Sequence, residues 1–256
     1  MKKRNFILLV LIIIVIFSCK KSDNQSSSQT SGNCKLLKSL SSYINYSFYY
    51  NEDNTISKSM FVASPGDTGW EYYYYESGHV KYMIRLMQGE QADTATYVYS
   101  AGKYTEVHQY GSVYKFSYDS RGNLIKLSID TGTQYYDYCD FNYDANGNCI
   151  KFSKYYWSGT AYFLAEITEF EYGTNKNPYY SIGLPPLNSM NYVTGQYQSL
   201  NNITKITDHI IDNPVITFVF VYNYSTFNDN GYPLNVTTSD SLGHPLSYEN
   251  LSYKCP

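Results

Sequence analysis

The chain has 256 residues, with 19 basic and 22 acidic side chains and 32 tyrosines. A net charge of −3 gives no cationic footprint, which excludes nucleic acid as a partner. Aromatic residues make up 18% of the chain, material for one sizeable β-rich domain and not for a disordered one.

Met1-Lys2-Lys3-Arg4 precedes an unbroken apolar run from Phe6 to Phe17, and Ser18-Cys19 follow. A basic start, a short apolar core and a small residue before the cut form a secretory signal. The run of 12 residues is too short for a membrane-spanning helix, which needs roughly 20. Ile16-Phe17-Ser18-Cys19 resembles a bacterial lipobox. That resemblance implies a signal peptide at 1–18, acylation of Cys19 and anchoring to a membrane by lipid. Secretion without lipid is the alternative. Residues 19–33 are polar and Ser-rich and read as a flexible tether. In lipoproteins of the Bacteroidota type, acidic residues after the Cys direct the protein to the cell surface. Here only Asp23 stands beside two lysines, so the outer-membrane leaflet, surface or periplasmic, stays open. Removing Lys2, Lys3 and Arg4 leaves 16 basic against 22 acidic residues, a net charge of −6.

The folded domain is expected at 34–256. Cys34 and Cys255 bracket it, and an oxidising envelope permits either a disulfide between them or two free thiols. Between them, short alternating runs are broken by Gly, Asn and Asp. The first hairpin reads from Phe48 to Ile56. The second joins Tyr72–Tyr75 to Val80, and the third joins Tyr97 to Tyr104 through a shortened turn. Tyr72, Tyr73, Tyr74 and Tyr75 cannot all point inward, because neighbours alternate faces. At least two of them are expected outside, where they can act as contact residues.

Tyr118-Asp119-Ser120-Arg121-Gly122-Asn123-Leu124-Ile125 returns 25 positions later as Tyr143-Asp144-Ala145-Asn146-Gly147-Asn148-Cys149-Ile150. A two-residue type I′ turn centred on Asn146-Gly147 would pair Tyr143 with Ile150 and Phe141 with Phe152. The same rule pairs Tyr118 with Ile125, Phe116 with Leu127 and Tyr114 with Ile129. Lys115, Ser117, Lys126 and Ser128 then share the opposite face. In this register Cys139 faces Lys154 and Cys149 faces Asp144, on opposite faces, which rules out a bridge between the two cysteines.

Phe170 to Pro178 reads as a copy with an expanded turn. Residues 178–214 break the pattern, and Leu184-Pro185-Pro186-Leu187 cannot lie in a central strand. This irregular insert is expected to cross one end of the sheet or plug its interior, with room for a short helix. Val215–Tyr224 restarts the sheet. Phe227-Asn228-Asp229-Asn230-Gly231-Tyr232-Pro233-Leu234 is a third copy, with a β-bulge expected between Tyr224 and Phe227. A last copy runs from Ser239 into Ser247–Tyr253. The fold expected is all-β: an antiparallel meander of hairpins whose single apolar face makes it roll into an open barrel or a sandwich-like sheet.

The Tyr-Asp-x-x-Gly-Asn core resembles the tyrosine-aspartate repeats of the Rhs class. The layout of 40–255 resembles Bacteroidota lipoproteins built from such repeats. In those, an Asn-Pro element like Asn177-Pro178 ends a long turn, and a Ser-x-Asn-Asn stretch like Ser199-Leu200-Asn201-Asn202 follows. Large Rhs proteins wall off a toxin with dozens of repeats. Six to eight copies are too few for that, so the resemblance implies a scaffold.

No motif points to catalysis. Asp140-x-Asn142-x-Asp144 starts like a calcium loop, but Ala145 and Lys151 stand where Gly and Glu are needed. The histidines show no metal spacing, and there is no Gly-x-Ser-x-Gly elbow or phosphate loop. No catalytic residue, metal or cofactor is therefore assigned. Asp93-Thr94-Ala95 and Asp240-Ser241-Leu242 look like short O-glycosylation motifs, and turn chemistry explains them equally. The function expected is a non-catalytic, lipid-anchored binding module for glycan or an envelope protein. The alternatives are an accessory role in assembling an outer-membrane complex, or a hydrolase whose site is dispersed in sequence.

Overall fold

A computed structural model describes residues 34–63, 66–131, 136–182, 199–211 and 214–255. The expected signal at 1–18, the expected acylation site Cys19 and residues 183–198 of the insert lie outside them. The strands are β1 Lys35–Ser41, β2 Ile44–Tyr50, β3 Ile56–Ala63, β4 Thr68–Glu76, β5 His79–Met87, β6 Asp93–Ser100, β7 Lys103–Gln109 and β8 Ser112–Tyr118. They continue as β9 Leu124–Asp130, β10 Tyr136–Tyr143, β11 Cys149–Trp157, β12 Tyr162–Lys176, β13 Asn201–Ile210, β14 Ile216–Phe227, β15 Pro233–Ser239 and β16 Pro245–Lys254. Each pairs antiparallel with its neighbours in sequence, and β1 also pairs with β16. The sheet is therefore a closed barrel, where an open barrel or a sandwich was expected. Closure leaves no sheet edge unpaired. The Cys34–Cys255 disulfide joins the two ends of the barrel domain beside the β1–β16 seam.

The apolar face is the inside. Phe48, Ile56, Tyr73, Met83, Val107, Leu127, Phe141, Phe152, Phe170 and Leu251 fill the interior. The outer face carries Lys38, Lys115, Glu169 and Glu171. It also carries apolar side chains, among them Leu86, Val98, Ile125 and Ile150.

The Asp, Gly and Asn positions of the repeat each have a physical task. In Tyr118-Asp119-Ser120-Arg121-Gly122-Asn123, the Asp119 amide donates to the Asn123 carbonyl at 2.9 Å and the Gly122 amide to the Asp119 carbonyl at 3.1 Å. That is a three-residue loop closed by Gly122 at φ 97°, where a side chain would be strained. Asp119 Oδ1 accepts the amides of Arg121 and Asn123, and Oδ2 accepts the Asn123 side-chain amide. Asp144 repeats all three bonds. Asn228 and Asp240 hold their turns through two backbone amides each. The two-residue turn with both φ values positive occurs elsewhere, at Ser77-Gly78, Ala101-Gly102 and Tyr110-Gly111.

The longer loop corrects the register next to it. Tyr118 pairs with Leu124 and Tyr143 with Cys149, each beside a bulge. Beyond the bulge the expected pairs hold: Phe116 with Leu127, Tyr114 with Ile129, Phe141 with Phe152 and Cys139 with Lys154. Leu124 and Cys149 are therefore buried, whereas Ile125 and Ile150 are about two-fifths exposed. Cys139 and Cys149 share the inner face and stay free because they sit at different levels of it, not because they face apart.

Two further expectations change. Ser225–Asn235 and Phe227–Pro233 keep one register, so no bulge separates Tyr224 from Phe227; Thr226 takes up the irregularity with φ 51°. The insert is also shorter than 178–214, because β13 begins at Asn201. Its first part does enter the barrel: Tyr179 and Ile182 are buried in the core, around a single 3-10 turn at Tyr180–Ile182. The two elements noted in the resemblance meet there. Asn177 Nδ2 donates to the Ser199 carbonyl at 2.8 Å, and the Cys149 amide donates to Ser199 Oγ at 3.1 Å.

Candidate functional site

Strand β4 reads Trp70-Glu71-Tyr72-Tyr73-Tyr74-Tyr75, and alternation divides it cleanly. Glu71, Tyr73 and Tyr75 turn inward. Tyr73 donates its hydroxyl to Glu71 at 2.7 Å, and Tyr75 donates to the Ile56 carbonyl at 2.8 Å. Fully buried Glu71 is also paired with Arg85 at 3.1 Å and bonded by Ser59 at 3.1 Å, so this interior charge is neutralised and held. Burial and the Glu71 carboxylate both push the Tyr73 hydroxyl far above its ordinary value. These groups are committed to the core.

Trp70, Tyr72 and Tyr74 face outward, and the neighbouring strands extend them into a ladder. Tyr49 pairs with Lys58, Lys58 with Tyr72, and Tyr74 with Tyr82. Tyr74 and Tyr82 stack at 4.5 Å with planes 16° apart, and Trp70 and Tyr72 lie 6.4 Å apart at 24°. Lys58 Nζ stands 4.4 Å from the Tyr49 ring and 5.0 Å from the Trp70 ring. Its charge is held against the π faces of both rings. Of the four tyrosines singled out in sequence, the structure thus places Tyr72 and Tyr74 outside and Tyr73 and Tyr75 inside.

Sequence reasoning missed a second ladder. Tyr138 on β10 stacks on Tyr155 at 4.5 Å and 12°, and meets Tyr162 edge-on at 4.8 Å. Trp157 lies 4.9 Å from Tyr162, and Lys126 Nζ is 4.0 Å from the Tyr138 ring. The signal was available: Tyr155, Trp157 and Tyr162 flank one turn and Tyr138 occupies the next strand. The chain has two tryptophans, and each sits in one ladder beside a lysine.

Exposed aromatic faces with a nearby cation offer stacking and adhesion without proton transfer. Among the described residues, no group of three or more His, Cys, Asp or Glu is placed to hold a metal. Of the two short glycosylation-like motifs, Asp240 is engaged in its turn and Asp93 accepts a bond from Gln109.

No protein-family model and no curated protein matches the chain. Solved structures do. A porin-like protein from Bacteroides uniformis is 12% identical, covering 87% of this chain and 96% of its own, with a TM-score of 0.52. A porin-like protein from Bacteroides vulgatus is 11% identical over 87% of this chain and 99% of its own, with a TM-score of 0.45. The likeness is one of fold. It joins this chain to a barrel architecture and carries no activity or ligand with it.

Proposed function

We propose that this protein is a lipid-anchored component of the bacterial cell envelope, tethered through Cys19, whose barrel displays aromatic ladders that bind glycan without catalysis. The observation that carries the reading is the outward set of Trp70, Tyr72, Tyr74 and Tyr82, held flat beside Lys58. Sugar rings present C–H faces that pack on such platforms, and Tyr and Trp lose little entropy on contact. The signal ending on Cys19 supports anchoring from one end.

A glycan array probed with the full chain in detergent tests the reading. A retained glycan class whose binding weakens about tenfold or more in Trp70→Ala would support it, the loss expected of a central aromatic. Binding unchanged in that variant, or no retained glycan alongside capture of an envelope protein, would replace it with a protein-partner role. Palmitate labelling lost in Cys19→Ser tests the anchor.

A further inference from the structure

A cleft of about 480 Å³ opens inside the barrel, against the inner faces of β14, β15, β16, β1 and β2. It is independent of the ladders. Tyr179, from the described start of the insert, forms part of its wall, and Tyr43 and Leu246 stand exposed in its lining. Tyr46, Phe220 and Tyr222 add further aromatic surface. Its size falls within the range of sites for small molecules.

Glu249 is the only charged side chain among the described residues of this lining. Ser39 and Tyr179 both donate hydroxyl bonds to its Oε1. Among the described residues no group donates to Oε2, and no Lys, Arg or His lies within ion-pair reach. The segment 183–198 contains no Lys, Arg or His either, so it has no cation to supply. Fully buried Glu71 has Arg85 beside it; Glu249, partly exposed in the cleft, has no such cation among the described residues. Burial pushes the Glu249 carboxyl above its ordinary value, with the Ser39 and Tyr179 bonds pulling the other way.

We infer that this cleft binds a small organic cation, a primary or secondary alkylammonium. Its N–H donates to Glu249 Oε2, and its carbon skeleton packs on the tyrosine and phenylalanine faces. Aromatic rings and a carboxylate together complement an ammonium head, since the negative π faces and the carboxylate act in the same direction. The same chemistry disfavours anionic ligands and gives neutral isosteres nothing to neutralise the carboxylate. A phosphorylated headgroup would set its phosphate in a cleft with no cation.

Titration calorimetry of the full chain in detergent with cyclohexylamine hydrochloride tests this, with cyclohexanol as the neutral isostere and phosphoethanolamine as the phosphorylated arm. Saturable binding of the ammonium, with both controls weaker, is expected. Glu249→Gln keeps the shape and the Ser39 and Tyr179 contacts and should weaken binding about 10- to 100-fold, the worth of a hydrogen bond to a charged group. Phe220→Leu should weaken it about 2- to 5-fold. Trp70→Ala should leave it unchanged, which separates this site from the outer ladder. Equal binding of cyclohexanol, an unaffected Glu249→Gln chain with an unshifted melting temperature, or no saturable heat would each overturn the inference.

Discussion

Tyr143 donates its hydroxyl to the carbonyl of Leu124 at 2.8 Å, reaching from the start of one repeat to the strand that ends the previous one. The same clasp joins Tyr50 to Leu36, Tyr75 to Ile56, Tyr118 to Tyr104, Tyr172 to Cys149 and Tyr253 to Pro233, all between 2.6 and 2.8 Å. In each case a tyrosine on an even-numbered strand holds the strand before it. The repeat's tyrosine thus stitches hairpin to hairpin, where the ladder bonds alone would leave one rim of the barrel free to fray.

Removing one clasp should be measurable. Tyr143→Phe leaves a buried carbonyl short of its donor and should cost about 1–2 kcal/mol in urea unfolding. Tyr74→Phe, on the outer face, should cost less than about 0.5 kcal/mol. Equal effects at both positions would show that the clasp adds nothing.

The register beside the turn can be tested by exchanging neighbours. Leu124→Ala removes a buried side chain and should cost about 2–4 kcal/mol, whereas Ile125→Ala should cost less than about 0.5 kcal/mol. A two-residue turn would reverse that order. Thermal melts of the pair decide between them.

Acid should loosen the turns first. Partial burial works to raise the Asp144 carboxyl, but the bonds from Asn148, Asn146 and Gly147 outweigh it and hold the group below its ordinary value. Asp119 behaves alike, lowered by the bonds from Asn123 and Arg121 against the same burial. A carboxylate lowered in the folded state contributes stability above its unfolded pKa, about 3.9, and loses it as pH falls through the folded value. Unfolding stability should therefore decline below about pH 4, and Asp144→Asn should shallow that decline. A decline of unchanged slope in the variant would assign it to other groups.

The thiols should divide into two classes. Burial pushes the Cys139 and Cys149 thiols up to about 12, so neither forms thiolate near neutral pH. Ellman's reagent should find no reactive thiol in the native, non-reduced Cys19→Ser chain and two after denaturation. The paired Cys34→Ser and Cys255→Ser change frees a loop of 221 residues and should cost about 5–5.5 kcal/mol on a chain-entropy account. Two further thiols titrating without reductant would show that the bridge is absent.

The sequence by itself determined the hairpins, the alternation of strands and the existence of an outward half of Tyr72–Tyr75, because turn chemistry and the two-residue pleat are local. It also placed the interruption after Asn177. The loop length was misjudged because Asn146-Gly147 suits two turn geometries. The choice between them came from Asp144, whose side chain holds a three-residue loop. Only the tertiary structure decided that the meander closes, since pairing β1 with β16 joins residues about as far apart as the chain allows. It likewise decided that Tyr138, Tyr155, Trp157 and Tyr162 form one surface. It set Glu249 among aromatics with no cation beside it among the described residues, because sheet curvature and the turn at Tyr180–Ile182 bring Ser39, Tyr179 and Glu249 together from three distant stretches.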